Sequence, residues 1–448
     1  MNSNGTFGSF GSKSLSRRSI LGAGLAIPVG AALAACSSPT SKSTSSAKPL
    51  GPDAFKGVTL QLGTNPGDLP AMTEYAAGWK ALTGGEVNVA VVPFAERAIK
   101  FAGFIASQDG SMDLLYGGPA FVNKFGERLF MDLTGRLDTK DLLSSVTDSL
   151  TLKGKLLAAP LSSDMYFTIY NKKMFADAGA DPEKPPTSWD ELYKLSDKLH
   201  VGDRYGSVVP WLAGYAQTYF TAMYNGSGKA MFNDDRTRVM FNNKEGLAVF
   251  ETIKRGLDSK FFDPNVLSDP GADQDTAILF AQGKGASQIG AASYWAMAYR
   301  GDQTSLKPED VGVMGIPSIE DGKFGTTNAF EGLGVNKFTK NPDACLSFLT
   351  YMTSKEGQKK MMVEGKSGLP AIRSDVLTDP EVAKIFPIGG VLAKLGKLPS
   401  SSWNTPFNVY PVFDAAVNGI SKNGDSAKQA LDNAVRGCNE AIAKYLSS

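Results

Sequence analysis

Apolar and polar positions along the chain switch between two periods. Val58-Thr59-Leu60-Gln61-Leu62 alternates as a half-buried strand does, and Met72, Tyr75, Trp79 and Leu82 then recur at helical spacing. Val87-Asn-Val-Ala-Val-Val92 returns to a strand. A strand, a helix and a strand of these lengths predict a βαβ unit, and therefore a parallel sheet covered by helices. Asp113-Leu-Leu-Tyr116 predicts a further short strand. Ser188-Trp-Asp-Glu191 is a capping box ahead of Trp189, Leu192, Leu195 and Leu199, which share one helical face. Pro342 sits in the first turn of a helix carrying Leu346, Leu349 and Tyr351/Met352, and Thr353-Ser-Lys-Glu356 opens another. Leu431, Val435, Cys438, Ile442 and Tyr445 form one stripe of a closing amphipathic helix. The pattern is that of an α/β protein without internal repeats.

The first 52 residues depart from it. Lys13, Arg17 and Arg18 precede an apolar run from Ile20 to Ala35 that is too short for a comfortable membrane span. Arg17-Arg18 followed by Ile20-Leu21 matches a twin-arginine export pattern, although general secretory signals also carry paired arginines. Leu33-Ala-Ala-Cys36 resembles the lipobox of bacterial lipoproteins. That resemblance implies cleavage after residue 35, lipidation of Cys36, and a chain held on the outer face of the cytoplasmic membrane by lipid alone. Residues 37–52 are rich in Ser, Thr, Lys and Pro, and form a flexible linker behind the lipidated cysteine (36–52).

Without residues 1–35 the chain has 413 residues, more than one core usually holds, so two lobes are expected. Its formal charge falls from +1 to −2, because the leader carries three cations and no acids. Such a balance gives no electrostatic case for nucleic acid. Cys345 and Cys438 lie on apolar helical faces and are expected to stay free.

Residues 154–199 are the most specific stretch. They run Gly-Lys-Leu-Leu-Ala-Ala-Pro, Ser-Ser-Asp164, Tyr-Phe-Thr-Ile-Tyr-Asn-Lys, and Ser-Trp-Asp-Glu-Leu. Phe280-Ala-Gln-Gly-Lys-Gly-Ala, Tyr294-Trp295, Val311-Gly-Val-Met-Gly-Ile-Pro317, Phe330-Glu-Gly-Leu-Gly-Val335, Thr-Ser-Lys-Glu-Gly-Gln and Gly368-Leu-Pro370 follow in order. The ordered set resembles the extracellular solute-binding proteins of the maltose and multiple-sugar class, receptors of ATP-driven (ABC) importers. The resemblance implies a periplasmic-binding-protein fold: two α/β lobes, a hinge crossed several times, and a ligand cleft between the lobes. It places the N-terminal lobe at 53–161 plus 331–366 and the C-terminal lobe at 162–330 plus 367–448. Crossings are expected near Pro160–Asp164, Ala329–Glu331 and Ser367–Pro370, and Cys345 and Cys438 fall in different lobes. Two positions depart from the family pattern. Leu62-Gly-Thr-Asn-Pro-Gly-Asp68 stands where Trp-Gly-Gly is common, and Tyr294 replaces the usual glycine before Trp295.

Sugars are held by aromatic faces against their CH side and by amides and carboxylates on hydroxyl pairs. Trp79 and Trp189 lie on helical stripes and read as core. Trp211, with Tyr215 nearby, Trp295 beside Tyr294, and Trp403 in a polar loop are the stacking candidates. Among polar groups, Asp164 follows the first crossing, with a hinge salt bridge as its competing role. Asn65 and Asp68 follow the first strand, where open α/β sheets bind ligands. Tyr116 occupies an equivalent loop, Asn328 and Glu331 flank the second crossing, and Arg373 follows the third, serving ligand or hinge.

Nothing in the sequence selects an enzyme. The single histidine, His200, ends a helix, and no His/Cys cluster has metal-ligand spacing, so neither metal nor cofactor is expected. Asn225-Gly-Ser-Gly-Lys229 lacks the first glycine and the Ser/Thr of a phosphate loop. Carboxylates for glycoside cleavage are plentiful, but no pair stands out. The expected role is capture of a mono- or oligosaccharide by a monomeric receptor that passes it to the transmembrane subunits of an ABC permease. The alternatives are the same fold carrying a polyamine or glycerophosphodiester, and an anchored hydrolase.

Overall fold

The computed structural model describes residues 51–446 except 67, 212–214, 234–236, 265–271, 293–305, 321, 328–331, 365–368 and 398–408. In chain order, the strands of its two main sheets are β1 (Thr59–Thr64), β2 (Glu86–Val91), β3 (Leu114–Tyr116), β4 (Ala159–Pro160), β5 (Tyr166–Asn171), β6 (Tyr205–Val208), β7 (Gly285–Ala291), β8 (Val311–Met314) and β9 (Gly332–Val335). The first sheet has the order β2-β1-β3-β9-β4 and the second β8-β5-β7-β6.

The predicted βαβ unit is present. β1 and β2 pair in parallel through Leu60↔Val87 and Leu62↔Val89, joined by helix α1 (Leu69–Thr83). Helix α1 buries Met72, Tyr75 and Trp79, and the Trp79 indole donates to Ser347 Oγ at 3.1 Å. Trp189 is likewise core, donating to the Pro317 carbonyl at 2.7 Å. Its capping Ser188 accepts the Glu191 N–H, and the Glu191 carboxylate takes the Thr187 N–H. The helix also stops early: Trp189–Lys194 and Ser196–Leu199 are separate pieces.

Two apolar clusters form, and the first also takes in Phe167, Ile169, Val208 and Val311 from the second sheet. Leu60, Trp79, Leu114, Cys345 and Phe348 lie in the first, and Phe220, Phe250, Phe413, Cys438 and Ile442 in the second. The two thiols are therefore free and in different cores, and burial pushes both upward from the ordinary thiol range. The lobe limits differ from the sequence expectation. Ile372 N–H donates to Gln358 Oε1, its carbonyl accepts from Leu143 N–H, and the Gly396 carbonyl accepts from Ser145 N–H, so the run from Ile372 to Gly396 lies against segments of the expected N-terminal lobe. Only from Val409 does the chain join the second core.

Candidate ligand-binding cleft

Strand directions bring particular ends together. β3 is parallel to β1, and β9 runs antiparallel with Leu333 opposite Tyr116, so the carboxyl ends of β1, β2 and β3 share an edge with the start of β9. Pro160, the end of β4, pairs with Gly332 at that same edge. Gly332 has no room for a side chain there, since a Cβ would lie 2.9 Å from Leu150 Cδ1 and 3.0 Å from the Ala159 carbonyl oxygen. From Pro160 the chain passes through residues 161–165 directly into β5 of the second sheet. There Tyr166 pairs with Ala291, the end of β7, and the carboxyl ends of β6 and β8 lie on the same side. The two sheets thus present their carboxyl-end loops to one another across the passage, the place where open α/β sheets bind ligands.

Neighbouring segments brace this passage. Ser163 N–H donates to the Pro370 carbonyl (3.1 Å) and Ser163 Oγ to the Ala371 carbonyl (2.6 Å). Tyr166 N–H donates to the Thr327 carbonyl (3.0 Å), and Thr326 Oγ1 to the Tyr166 carbonyl (2.9 Å). The stretch around Pro370 therefore runs beside the first passage, and just beyond it Ile372 N–H donates to Gln358, whose side chain also donates to the Tyr75 hydroxyl of α1.

At the edge of the first sheet a polar cluster forms. Asn65 and Asp68 lie in the loop after β1, and both are half-buried. Tyr116 closes β3, is nearly buried, and donates its hydroxyl to Asp68 Oδ2. The fourth member is Arg97, which sequence reasoning did not select. It sits near the start of helix α2 (Phe94–Ser107), directly after β2. It is fully buried, donating through Nη2 to Asn65 Oδ1 and through Nε to the Val92 carbonyl (3.2 Å). Its guanidinium carbon lies 4.8 Å from the Tyr116 ring centre, a cation–π distance. A signal was present in the sequence: Arg97, Phe101, Phe104 and Ile105 recur at helical spacing, so an arginine occupies a place on an apolar stripe. A buried charge is retained only where partners hold it.

A model of the bacterial extracellular solute-binding proteins matches residues 63–359, well over half the chain. The chain belongs to this family. A probable ABC transporter-binding protein of Deinococcus radiodurans is 23% identical over 335 residues, covering 71% of this chain and 76% of that protein. The diacetylchitobiose binding protein DasA of Streptomyces coelicolor is 27% identical over 323 residues, 68% of this chain and 72% of its own. Among solved structures, the sugar-binding protein MalE of Xanthomonas citri superposes with a TM-score of 0.74 over 87% of this chain and 98% of that one, at 15% identity. That likeness shows the two-lobed fold. Membership places this solute-binding protein outside the cytoplasm.

In this solute-binding protein several sequence-selected residues turn out to have other work. Trp211 follows β6 at the cleft edge, but it is fully buried, with its ring edge-on to Tyr219 (5.5 Å) and Phe262 (5.0 Å). With no exposed face it is a core residue here, not a stacking one. Tyr215, at the start of the helix Tyr215–Asn225, is half-buried and packs against the same core. Arg373 is also corrected. Its Nε and Nη2 bind Asp375 (2.9 and 3.2 Å), Nη2 also reaches Asp141 Oδ2 (3.2 Å), and Nη1 reaches the Thr353 carbonyl (3.3 Å). All its nitrogens are engaged in tying the first lobe together. Asp164 lies within the passage and is half-buried. Cys36, Tyr294, Trp295, Asn328, Glu331 and Trp403 lie outside the described residues. His200 points its Nδ1 at the Arg204 carbonyl (3.0 Å), in the turn after its helix, and not toward the cleft-edge residues described above.

Proposed function

We propose that this solute-binding protein is a lipid-anchored receptor that captures a carbohydrate by lobe closure and delivers it to the membrane subunits of an ABC importer. The observation that carries the ligand class is the half-exposed pair Asn65 and Asp68, an amide and a carboxylate side by side at the carboxyl ends of parallel strands. Such a pair suits adjacent hydroxyls, one accepting and one donating. Relatives described as binding diacetylchitobiose, mannitol and other sugars support the same class. The lipobox at Leu33–Cys36 supports the anchor, and the Deinococcus relative supports the importer. Asp164 and Trp295 would contact the sugar from the passage and the second lobe. Ligand that touches both lobes stabilises the closed form by its greater affinity for it.

The test is thermal unfolding of the full chain carrying Cys36→Ser against D-mannitol, maltose, diacetylchitobiose, spermidine and glycerophosphocholine. A ligand at one hundred times its Kd adds about 2.7 kcal/mol. With an unfolding entropy of roughly 0.8 kcal/mol/K for a chain of this size, the midpoint should rise by about 3 °C. A rise with a saccharide or polyol establishes the reading, and a rise with spermidine or glycerophosphocholine alone overturns it. For the anchor, Cys36→Ser should move the exported protein from the membrane to the soluble fraction.

A further inference from the structure

We infer that Arg97 is a positioning residue that sets the hydrogen-bond polarity of the first-lobe subsite, making Asn65 a donor and Asp68 an acceptor toward a neutral vicinal diol. This inference rests on the carbohydrate reading and narrows it.

The argument starts from what each group is able to do. A guanidinium has five N–H donors and no acceptor, and it stays charged at any physiological pH. Whatever Arg97 binds must therefore turn an acceptor toward it. The side chain of Asn65 presents Oδ1 to Arg97 Nη2, and the amide cannot flip without placing its own N–H groups against a buried cation. Asn65 Nδ2 is thereby left on the far side, bonded to no group among the described residues, on a residue that is still half-exposed. Asp68 is fixed in the complementary sense. The Tyr116 hydroxyl donates to Oδ2, leaving Oδ1 as an acceptor without a partner among the described residues. The carboxylate does not cap α1 either, although Asp68 stands at its N-cap position.

Arg97 links the two halves. The same guanidinium that orients Asn65 lies 4.8 Å from the centre of the Tyr116 ring, holding the tyrosine whose hydroxyl orients Asp68. Because Arg97 is fully buried, its charge is spent within the lobe and is not presented to a ligand. What faces outward is one amide N–H pair and one carboxylate oxygen. A vicinal diol satisfies both: one hydroxyl accepts from Asn65, and its neighbour donates to Asp68. A phosphodiester would place anionic oxygens against Asp68, and an ammonium would meet the N–H groups of Asn65.

The decisive variant is Asn65→Asp, in the full chain carrying Cys36→Ser. It is isosteric and keeps an acceptor for Arg97, so the thermal midpoint should stay level or rise. It removes the outward donor, so the Kd for whichever of D-mannitol, maltose or diacetylchitobiose binds should weaken at least tenfold by titration calorimetry. An unchanged Kd overturns the inference. Arg97→Met should also weaken binding about tenfold, and clearly less when Asn65 is already alanine, because only the part passed through Tyr116 to Asp68 then remains. A full tenfold loss in that background shows that Arg97 does not act through Asn65. If the wild type binds only spermidine or glycerophosphocholine, the carbohydrate reading and the diol assignment fail together. The positioning role is then decided without ligand by the side-chain amide spectrum. The Asn65 amide proton pair, identified by its loss in Asn65→Asp, should shift in Arg97→Met, and an unmoved pair refutes the role.

Discussion

Replacing Arg373 separates a structural tie from a ligand contact. Arg373 is 6% exposed and joins three segments of the first lobe: Asp141 in a loop, Thr353 at a helix end, and Asp375 in the next helix. In Arg373→Met the apolar stem survives while the fork is lost. Removing one partner of a fully buried ion pair costs about 3–5 kcal/mol. Here the Asp141 and Asp375 side chains are 40% and 27% exposed, so water partly replaces the guanidinium and the cost falls to about 2–3 kcal/mol. With roughly 0.8 kcal/mol/K of unfolding entropy, the midpoint should drop by about 3 °C. Arg373→Lys should recover only part of this, because an ammonium cannot span both carboxylates and the Thr353 carbonyl. The assay is thermal and urea unfolding, paired with calorimetric titration of the best-binding ligand. The affinity should hold within twofold. A tenfold weaker Kd with an unmoved midpoint would refute the reasoning and return Arg373 to the ligand site.

Two further outcomes are expected. Trp211→Ala should destabilise the protein by about 3–5 kcal/mol in chemical unfolding, since it empties a fully buried site between Tyr219 and Phe262. Trp211→Phe should cost clearly less, because the indole N–H it removes has no acceptor among the described residues, and equal costs would contradict this packing. In alkali, burial raises Tyr170 from 10.0 to about 12, and the nearby Glu183 and Asp181 add to the shift. A raised value means that its contribution is complete below pH 10 and is lost as pH climbs toward 12, because the unfolded chain releases the proton first. The buried Cys345 and Cys438 start the same loss above about pH 9. Stability followed by urea midpoint should therefore fall from about pH 9 upward, and a midpoint flat to pH 12 would contradict the burial of these groups.

The chain's local grammar carried much of this protein. The alternation at Val58–Leu62, the stripe through Met72 and Trp79, and the return to a strand at Val87 are nearest-neighbour patterns, so β1, α1 and β2 could be read from them directly. Given a parallel sheet, the carboxyl ends of its strands point to the loops that carry Asn65, Asp68 and Tyr116. What the sequence could not express is which distant residues meet. Whether Trp211 faces a ligand or a core depends on Phe262, 51 positions away, arriving against its ring. The lobe that receives residues 371–395 depends on Gln358 and Leu143, whose hydrogen bonds hold Ile372 within the first lobe. Arg97 shows the two sources of information meeting. The sequence puts a charge on an apolar stripe, which is costly in isolation. Only the fold supplies the amide of Asn65 and the ring of Tyr116 that make it tolerable, because side chains from three separate strand–loop segments converge only once the sheet has formed.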